Sequence, residues 1–413
     1  MLNKSLKKIL FKKSIFEFSI FIFVIFFLVA LVVIAETFYV RPSNAQEKID
    51  FILMIGRILG GTALLLGAYF TWKQLQVTLD GKITDRISQA IDHIGSKDLS
   101  IRLGGLYSLE RIAIDSRRDL PNIIEIICAF IRVSSPSPFI DRRLHSVVTE
   151  RELSKEELNK IVEEQFHRPR LTEDIQVGLQ ILARITQLYK IPEESHLYVT
   201  RNLFGVNVKG AILPDKANLS FFLLDNSQLD YVFASNAVMT RSRVNNSNLR
   251  GSLLHKIDLS NSDLSGSHME HAYLCKAILR ETRFLSSRLI CANLIEVQAE
   301  KANFNQARLK RANFSKAILK KAVLSFADLR ESILTEADLS SADLSSADLS
   351  NSKLDGADLS GAIFQRTQLY EVDLTNVKNL TGEQLDNALL CKTTLANGEV
   401  SNRDCEKIEV SQN

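Results

Sequence analysis

The chain has 413 residues, 46% hydrophobic and 24% charged, which excludes wholesale disorder. Lys+Arg 51 against Asp+Glu 48 leaves a formal charge of +3, so net charge singles out no acidic or basic partner. With 17 Gly, 7 Pro and 5 Cys, collagen, low-complexity linkers and a disulfide framework are also excluded.

Residues 1–14 form a basic terminus, with Lys4, Lys7, Lys8, Lys12 and Lys13 and no acid before Glu17. Residues 18–35 read FSIFIFVIFFLVALVVIA, and this run predicts a first transmembrane helix over 15–38. The alternative is a cleaved signal peptide, whose apolar region usually spans only about 7–15 residues. A second apolar run predicts a transmembrane helix over 49–73. It carries Gly56-x-x-x-Gly60 and ends in Tyr69, Phe70 and Trp72. Arg57 reads as an end marker that snorkels to the interface. Cations flank the pair at both ends, while the loop 36–50 holds only Arg41 and Lys48. The positive-inside rule then places that loop outside and everything after residue 73 in the cytoplasm.

Residues 81–132 predict a small helical unit. Ile83, Ile87, Ile91 and Ile94, then Leu99, Leu103, Leu106 and Leu109, recur at helical spacing. Pro121 fits the first turn of a third helix. Residues 133–171 read as a linker, with SSPSP at its start and one short helix near 152–164. Thr172, Glu173 and Asp174 start a helix over 172–190.

From 219 to 374, Leu or Phe fills 27 of the 32 positions taken every five residues. The exceptions are Ala234, Met239, Val244, Met269 and Ala299, none of them polar. Two residues upstream, Ala, Ser or Thr fills 27 of the 32. A lead-in, Leu203, Val208 and Leu213, keeps the period but is offset by one residue near Pro214. On an α-helix, five residues advance about 500° and smear the leucines around the cylinder. On a flat strand an odd period alternates faces. One dry interior results only if the chain turns a corner every five residues, which predicts a solenoid.

Ala337-Asp338-Leu339-Ser340-Ser341 fits the pattern A-(D/N)-L-x-x, and residues 201–376 resemble the pentapeptide-repeat family. That resemblance implies a right-handed quadrilateral β-helix with four repeats per coil, a mainly β fold behind two transmembrane helices and a helical connector. It also covers residues 84–116 and the tail 380–405, which look like the flanks of membrane-anchored bacterial members. Four repeats per coil make residues twenty apart stack, so Phe284 should lie over Phe304. Val232 and Val297 should point inward and fill the volume left by Ala234 and Ala299. Residues 380–413 read as a C-terminal cap and tail, with Thr381 and Gln384 at capping-box spacing and a helix near 382–390. Cys391 and Cys405 are expected to be reduced thiols in a cytoplasmic rod, the alternative being a conditional disulfide between them.

His255 and Cys275, and His271 and Cys291, are twenty residues apart, but the two columns are separated by about 8–10 Å, too far for one tetrahedral zinc. No catalytic, cofactor-binding or metal-binding residue is assigned, and no enzyme motif occurs. Residues 301–327 hold seven bases and no acid, whereas 328–373 hold ten acids and three bases. Some pentapeptide-repeat proteins mimic DNA and inhibit gyrase, using an acidic rod. Residues 201–376 hold 21 bases and 19 acids, which disfavours that alternative. The expectation is a non-enzymatic scaffold in a bacterial inner or other internal membrane, multi-pass, with a cytoplasmic repeat domain. Its partners would be the bilayer and a protein the sequence does not name, with no nucleic acid or small-molecule substrate.

Overall fold

The structure, a computed structural model, describes residues 45–135, 171–187 and 201–406. The basic terminus, the first expected span (15–38), most of the following loop, the linker with its helix near 152–164, and residues after 406 lie outside the described residues. The chain divides into two compact units, Met1–Thr84 and Asp85–Asn413.

The expected second span does not end at 73. A single helix, α1, runs through Ala45–Ile94. Residues 74–82 contain no proline, and the lone Gly81 costs a helix only about 1 kcal/mol, so nothing there terminates it. Among the described residues no helix is long and apolar enough to cross a membrane, so the spanning role expected of 49–73 finds no support in the structure. Arg57, Gly56, Gly60, Gly61 and Thr62 dilute that stretch. The Gly56–Gly60 pair faces open space.

Three further helices pack beside the end of α1: α2 (Leu99–Asp115), α3 (Leu120–Ser134) and α4 (Glu173–Gln187). Asp98 caps α2 by accepting from the Ser100 N–H at 2.7 Å, and Pro121 occupies the first turn of α3. The sequence stripes become the core, with Leu106, Leu109, Ile123, Ile127, Ile181 and Leu182 fully buried. Gly105 lets α2 meet α1, because a Cβ there would lie 2.8 Å from the His93 and Ile94 side chains. Two ion pairs tie α4 to α2, Arg102–Asp174 at 2.7 Å and Arg184–Glu110 at 2.6 Å.

From Asn202 onward the chain forms a four-sided coil. Parallel bridges link each side to the next coil, first at 21-residue spacing (Asn202↔Leu223, Ile212↔Phe233) and from Asn218↔Val238 at 20. The extra residue near Pro214 is absorbed in that first turn. Each side repeats one local arrangement. The central Leu or Phe and the small residue two before it point inward, and the residue between them makes the bridge. At most corners the second residue after the central one adopts positive φ, for example Lys316 at 59° and Ser341 at 57°. No Val, Ile or Thr occupies such a position, as expected where β-branching clashes with left-handed backbone.

The interior is close-packed. Phe284 stacks on Phe304 with centroids 4.9 Å apart and planes 2° off parallel, and Phe314 meets Phe304 edge-on. Val232 and Val297 are buried beside Ala234 and Ala299, as the volume argument requires. At several places where Ser or Thr replaces Ala inside, the hydroxyl reaches a carbonyl 23 residues earlier: Ser242 to Leu219 at 2.8 Å, Ser262 to Met239 at 2.6 Å, Thr282 to Leu259 at 2.8 Å.

The helical unit is more than a connector, because it caps the first coil. The Asn207 N–H donates to the Ser135 carbonyl, and the Ser135 hydroxyl donates to the Asn207 carbonyl. Arg132 donates to the Asn202 carbonyl, and the Gln176 amide bonds both N–H and C=O of Ile212. Thr186 and Gln187 donate to the carbonyls of Asn218 and Lys216. At this seam Arg201 is buried over the Phe222 ring, 5.5 Å from its centroid, and burial pulls its guanidinium down to about 10.

At the other end the expected helix over 382–390 shrinks to α5, Gly382–Asp386, with the capping box of Thr381 and Gln384 intact. The helix cannot extend because it forms only one corner of a further, final coil. Strand β1 (Gln368–Tyr370) pairs in parallel with β2 (Leu389–Cys391), a spacing of 21, leaving one spare residue for the corner. Leu385 and Leu389 are half-buried, while Ala388 and Leu390 are buried. A short hairpin follows, β3 (Thr393–Thr394) with β4 (Val400–Ser401). Cys391 and Cys405, expected as thiols, are joined by a disulfide. Their Cα atoms lie 4.6 Å apart because the hairpin folds the tail back onto the last coil, a juxtaposition sequence spacing does not reveal.

The buried hydroxyls generate a paired prediction. Ser247 donates to the Leu224 carbonyl at 2.7 Å and accepts from the Ser227 N–H at 3.1 Å, whereas the Ser332 hydroxyl has no partner among the described residues. Ser247→Ala should destabilise the rod by about 1–3 kcal/mol, because it strands a buried N–H, and Ser332→Ala should be neutral or stabilising. Chemical denaturation of the two variants checks this, and equal losses would contradict it.

Candidate interaction surface

The rod interior offers no chemistry, so any site must be outside. Outward positions fall into columns twenty residues apart, and side chains in one column meet across about 4.8 Å, the spacing between neighbouring strands. The charges use this spacing. Lys276–Glu296 (3.4 Å), Arg280–Glu300 (3.3 Å), Lys301–Glu281 (3.0 Å) and Lys316–Glu336 (3.8 Å) are all twenty apart. Arg311 and Lys310 both reach Glu331, at 2.6 and 3.3 Å. Lys301, Lys310, Arg311 and Lys316 of the basic stretch 301–327 are therefore met by acids on neighbouring coils. Exposed pairs of this kind are each worth about 0–1 kcal/mol, so they set the surface pattern more than the stability.

The acids of 328–373 have a second role. Asp338, Asp343, Asp348 and Asp358 each accept from the backbone N–H two residues on, at 2.9–3.0 Å. Asp373 does the same to Thr375, and those N–H and hydroxyl donors hold its carboxyl below the usual range. These are turn-building carboxylates at rod corners, which is why Asn replaces Asp freely there, as at Asn303 and Asn313.

The paired His and Cys positions occupy neighbouring columns. Cys275 is buried, and His255, His271 and Cys291 are half-buried. Burial pushes the Cys291 thiol up and the His271 imidazole down. Among the described residues no three His, Cys, Asp or Glu side chains come together as metal ligands.

One feature escaped the sequence reading. Ile212, Phe233, Leu253 and Tyr273 follow one another along a single side, joined by the bridges Ile212↔Phe233, Phe233↔Leu253 and Leu253↔Tyr273. All four are exposed, Ile212 at 56% and Tyr273 at 38%. The His255 ring lies 6.0 Å from that of Tyr273 at the border of this stripe. Beyond Tyr273 the column turns polar, with Asn293 and Asn313. The signal was available as large apolar residues immediately before the inward position, recurring once per coil. Other exposed apolar side chains of the rod, such as Phe326 and Ile363, stand outside this column, and a contiguous apolar ladder marks a contact surface.

The family model for pentapeptide repeats matches the chain with 8 copies, in overlapping segments from 252–284 to 342–378. Over residues 252–378 the coils of this β-helix match pentapeptide repeats. Among solved structures, the chain is similar to HetL, a pentapeptide-repeat protein involved in heterocyst differentiation regulation from Nostoc sp. strain PCC 7120. The two are 27% identical, over 49% of this chain and 94% of that one, with a TM-score of 0.29. QnrB1, a plasmid-mediated fluoroquinolone resistance protein, matches at 18% identity over 34% of this chain and 80% of its own, with a TM-score of 0.24. Rfr23, a pentapeptide-repeat protein from Cyanothece 51142, matches at 26% identity over 32% and 88%, with a TM-score of 0.18. A search of curated proteins returns no match.

A titratable group of the rod gives a pH prediction. Asp230 is buried just before Phe233, and burial pushes its carboxyl up to about 6 despite the attraction of Lys209 and Arg250. A folded-state pKa raised above the unfolded value stabilises the fold fully below the unfolded pKa. That contribution is lost as pH rises through the folded pKa, here from about 4 to about 6. Asp230→Asn should therefore raise stability at pH 7.5 by about 1–3 kcal/mol, a gain that shrinks by pH 5. Denaturation midpoints at the two pH values test this, and a pH-independent difference would refute it.

Proposed function

We propose that this pentapeptide-repeat protein is a non-enzymatic, membrane-anchored scaffold that presents its rigid β-helix to a protein partner in the cytoplasm of a bacterial cell. The observation that carries this reading is the exposed ladder Ile212, Phe233, Leu253 and Tyr273 on a rod whose interior is filled by apolar and small side chains. A stiff solenoid offers contacts by shape and register, and outward residues vary while the core holds. The anchor rests on the apolar run 18–35 and its preceding lysines, and the return of the chain to its starting side rests on the sequence of 49–73 alone, not on α1 as the structure describes it. A topoisomerase-directed DNA mimic would need a continuous acidic side. The cations paired along the columns interrupt any such stripe.

Two measurements test the reading. Crosslinking in intact membranes should capture a partner with the wild type and several-fold less of it with Phe233→Asp/Leu253→Asp. Both positions are exposed, so the rod should stay folded, as limited proteolysis will report. Undiminished capture by the folded variant would discard the ladder as the contact, and recovery of gyrase would favour the DNA mimic. For topology, Ser43→Cys should react with an impermeant thiol reagent added outside cells, and protection there would overturn the two-span arrangement.

A further inference from the structure

The Cys391–Cys405 bond sits at the one place where the rod's final edge is closed by a tail. Among the described residues the outward backbone of β2 has no further coil to pair with. Its amides are taken by the returning tail instead: Leu390 N–H donates to the Asp404 carboxylate at 3.2 Å, and Lys392 N–H to the Asn402 side chain at 3.0 Å. Asp404 N–H returns a bond to the Leu390 carbonyl at 2.8 Å. The hairpin that brings the tail round has only two residues per strand, Thr393–Thr394 and Val400–Ser401, with Val400 exposed. A ribbon that short does not hold itself together in water. The disulfide closes the loop and supplies what the ribbon lacks. Access to its two sulfurs is unequal, since Cys391 is fully buried and Cys405 is half-buried near the surface. The other three cysteines, Cys128, Cys275 and Cys291, are free.

We propose that Cys391–Cys405 is a reversible thiol–disulfide clasp, opened by a dithiol reductant at Cys405, that controls whether the terminal edge of the rod is covered. A thiolate of the dithiol attacks the Cys405 sulfur, forming a mixed disulfide there, and the S–S bond breaks to release Cys391 as a thiolate that takes a proton from water. The second thiolate of the reductant then attacks its own partner sulfur in the mixed disulfide. A disulfide forms within the reductant and Cys405 leaves as a thiolate, so two electrons pass from the dithiol to the cystine. Closure is the reverse, with a disulfide such as oxidised glutathione as the two-electron acceptor. Opening removes the constraint on 392–404, and the Leu390 and Lys392 amides lose the tail that covers them. The inference is independent of the membrane reading, because it concerns only the described residues of the rod's end.

The test uses the full chain carrying Cys291→Ser, which removes the half-buried free thiol. After equilibration with oxidised glutathione, Cys391 and Cys405 should resist iodoacetamide and appear as one linked peptide pair. After dithiothreitol, both should be alkylated, Cys405 faster than Cys391. Hydrogen exchange should then accelerate by more than about tenfold at Leu390, Lys392, Gly398 and Asp404. Amides of the coil at Leu339 and Leu344 should not change. Cys405→Ser without reductant should show the same local acceleration. Free, alkylatable Cys391 and Cys405 under oxidised glutathione would overturn the proposal. So would unchanged exchange at those four amides after reduction, even if Cys405→Ser fails to fold.

Discussion

The structure depends on one backbone constraint, a corner every five residues. At most of these corners an ordinary L-residue takes left-handed φ, close to 57° at Asn226, Glu331 and Ser346 alike. An isolated residue in that region is unfavourable by roughly 1–2 kcal/mol. The rod holds dozens of residues in succession this way because each corner is fixed from both sides. Inside, a Leu or Phe drops into contact with the coils before and after it. At many corners an Asp or Asn locks the turn from outside by accepting the following N–H. The absence of β-branched residues at the left-handed positions is the imprint of the same constraint, and Gly appears at only a few, such as Gly266 and Gly356.

A coil stack satisfies its own backbone everywhere except at its two ends, where unpaired edges invite pairing with other chains. The two ends are closed by different means. At the start, side chains of α3 and α4 and the Ser135 backbone reach positions on all four sides of the first coil. This capping also makes the helical unit and the rod one hydrogen-bonded structure within the second unit of the chain. At the finish, the chain continues its own geometry for one more coil through β2, then folds a short tail over the last edge. The first cap rests on a helical core, while the second rests on a two-residue ribbon and one covalent bond.

What the sequence made legible follows from this difference. The repeat was readable because inward side chains are fixed in type and the period admits no slip; the Phe284–Phe304 stack and the inward Val232 and Val297 follow from register alone. The caps were not readable, since their bonds join residues 10 to 72 positions apart through irregular backbone. Gln176 bonding Ile212, or Asp404 bonding Leu390, leaves no periodic trace. The disulfide is not legible from compartment, because the hairpin geometry, not the redox setting, decides whether the two cysteines come together. The boundary of α1 was missed for a simpler reason. Hydropathy falls after residue 73 but helix propensity does not, and propensity governs where a helix ends.

The surface was legible in charge but not in arrangement. Along the chain the cations of 301–327 and the acids of 328–373 form separate blocks, which suggests a rod with a basic middle and an acidic end. A coil of twenty residues folds those blocks against each other, so that Arg311 faces Glu331 and Lys316 faces Glu336. The same folding has the opposite effect on apolar residues. Ile212, Phe233, Leu253 and Tyr273 are scattered singly in the sequence, each unremarkable as a surface residue, and the coil gathers them into one ladder. Linear charge blocks are thus partly paired off by wrapping while isolated hydrophobes are concentrated by it. For a solenoid, the contact surface has to be read at the period of the coil, and at that period the first coils of this rod carry its clearest apolar face.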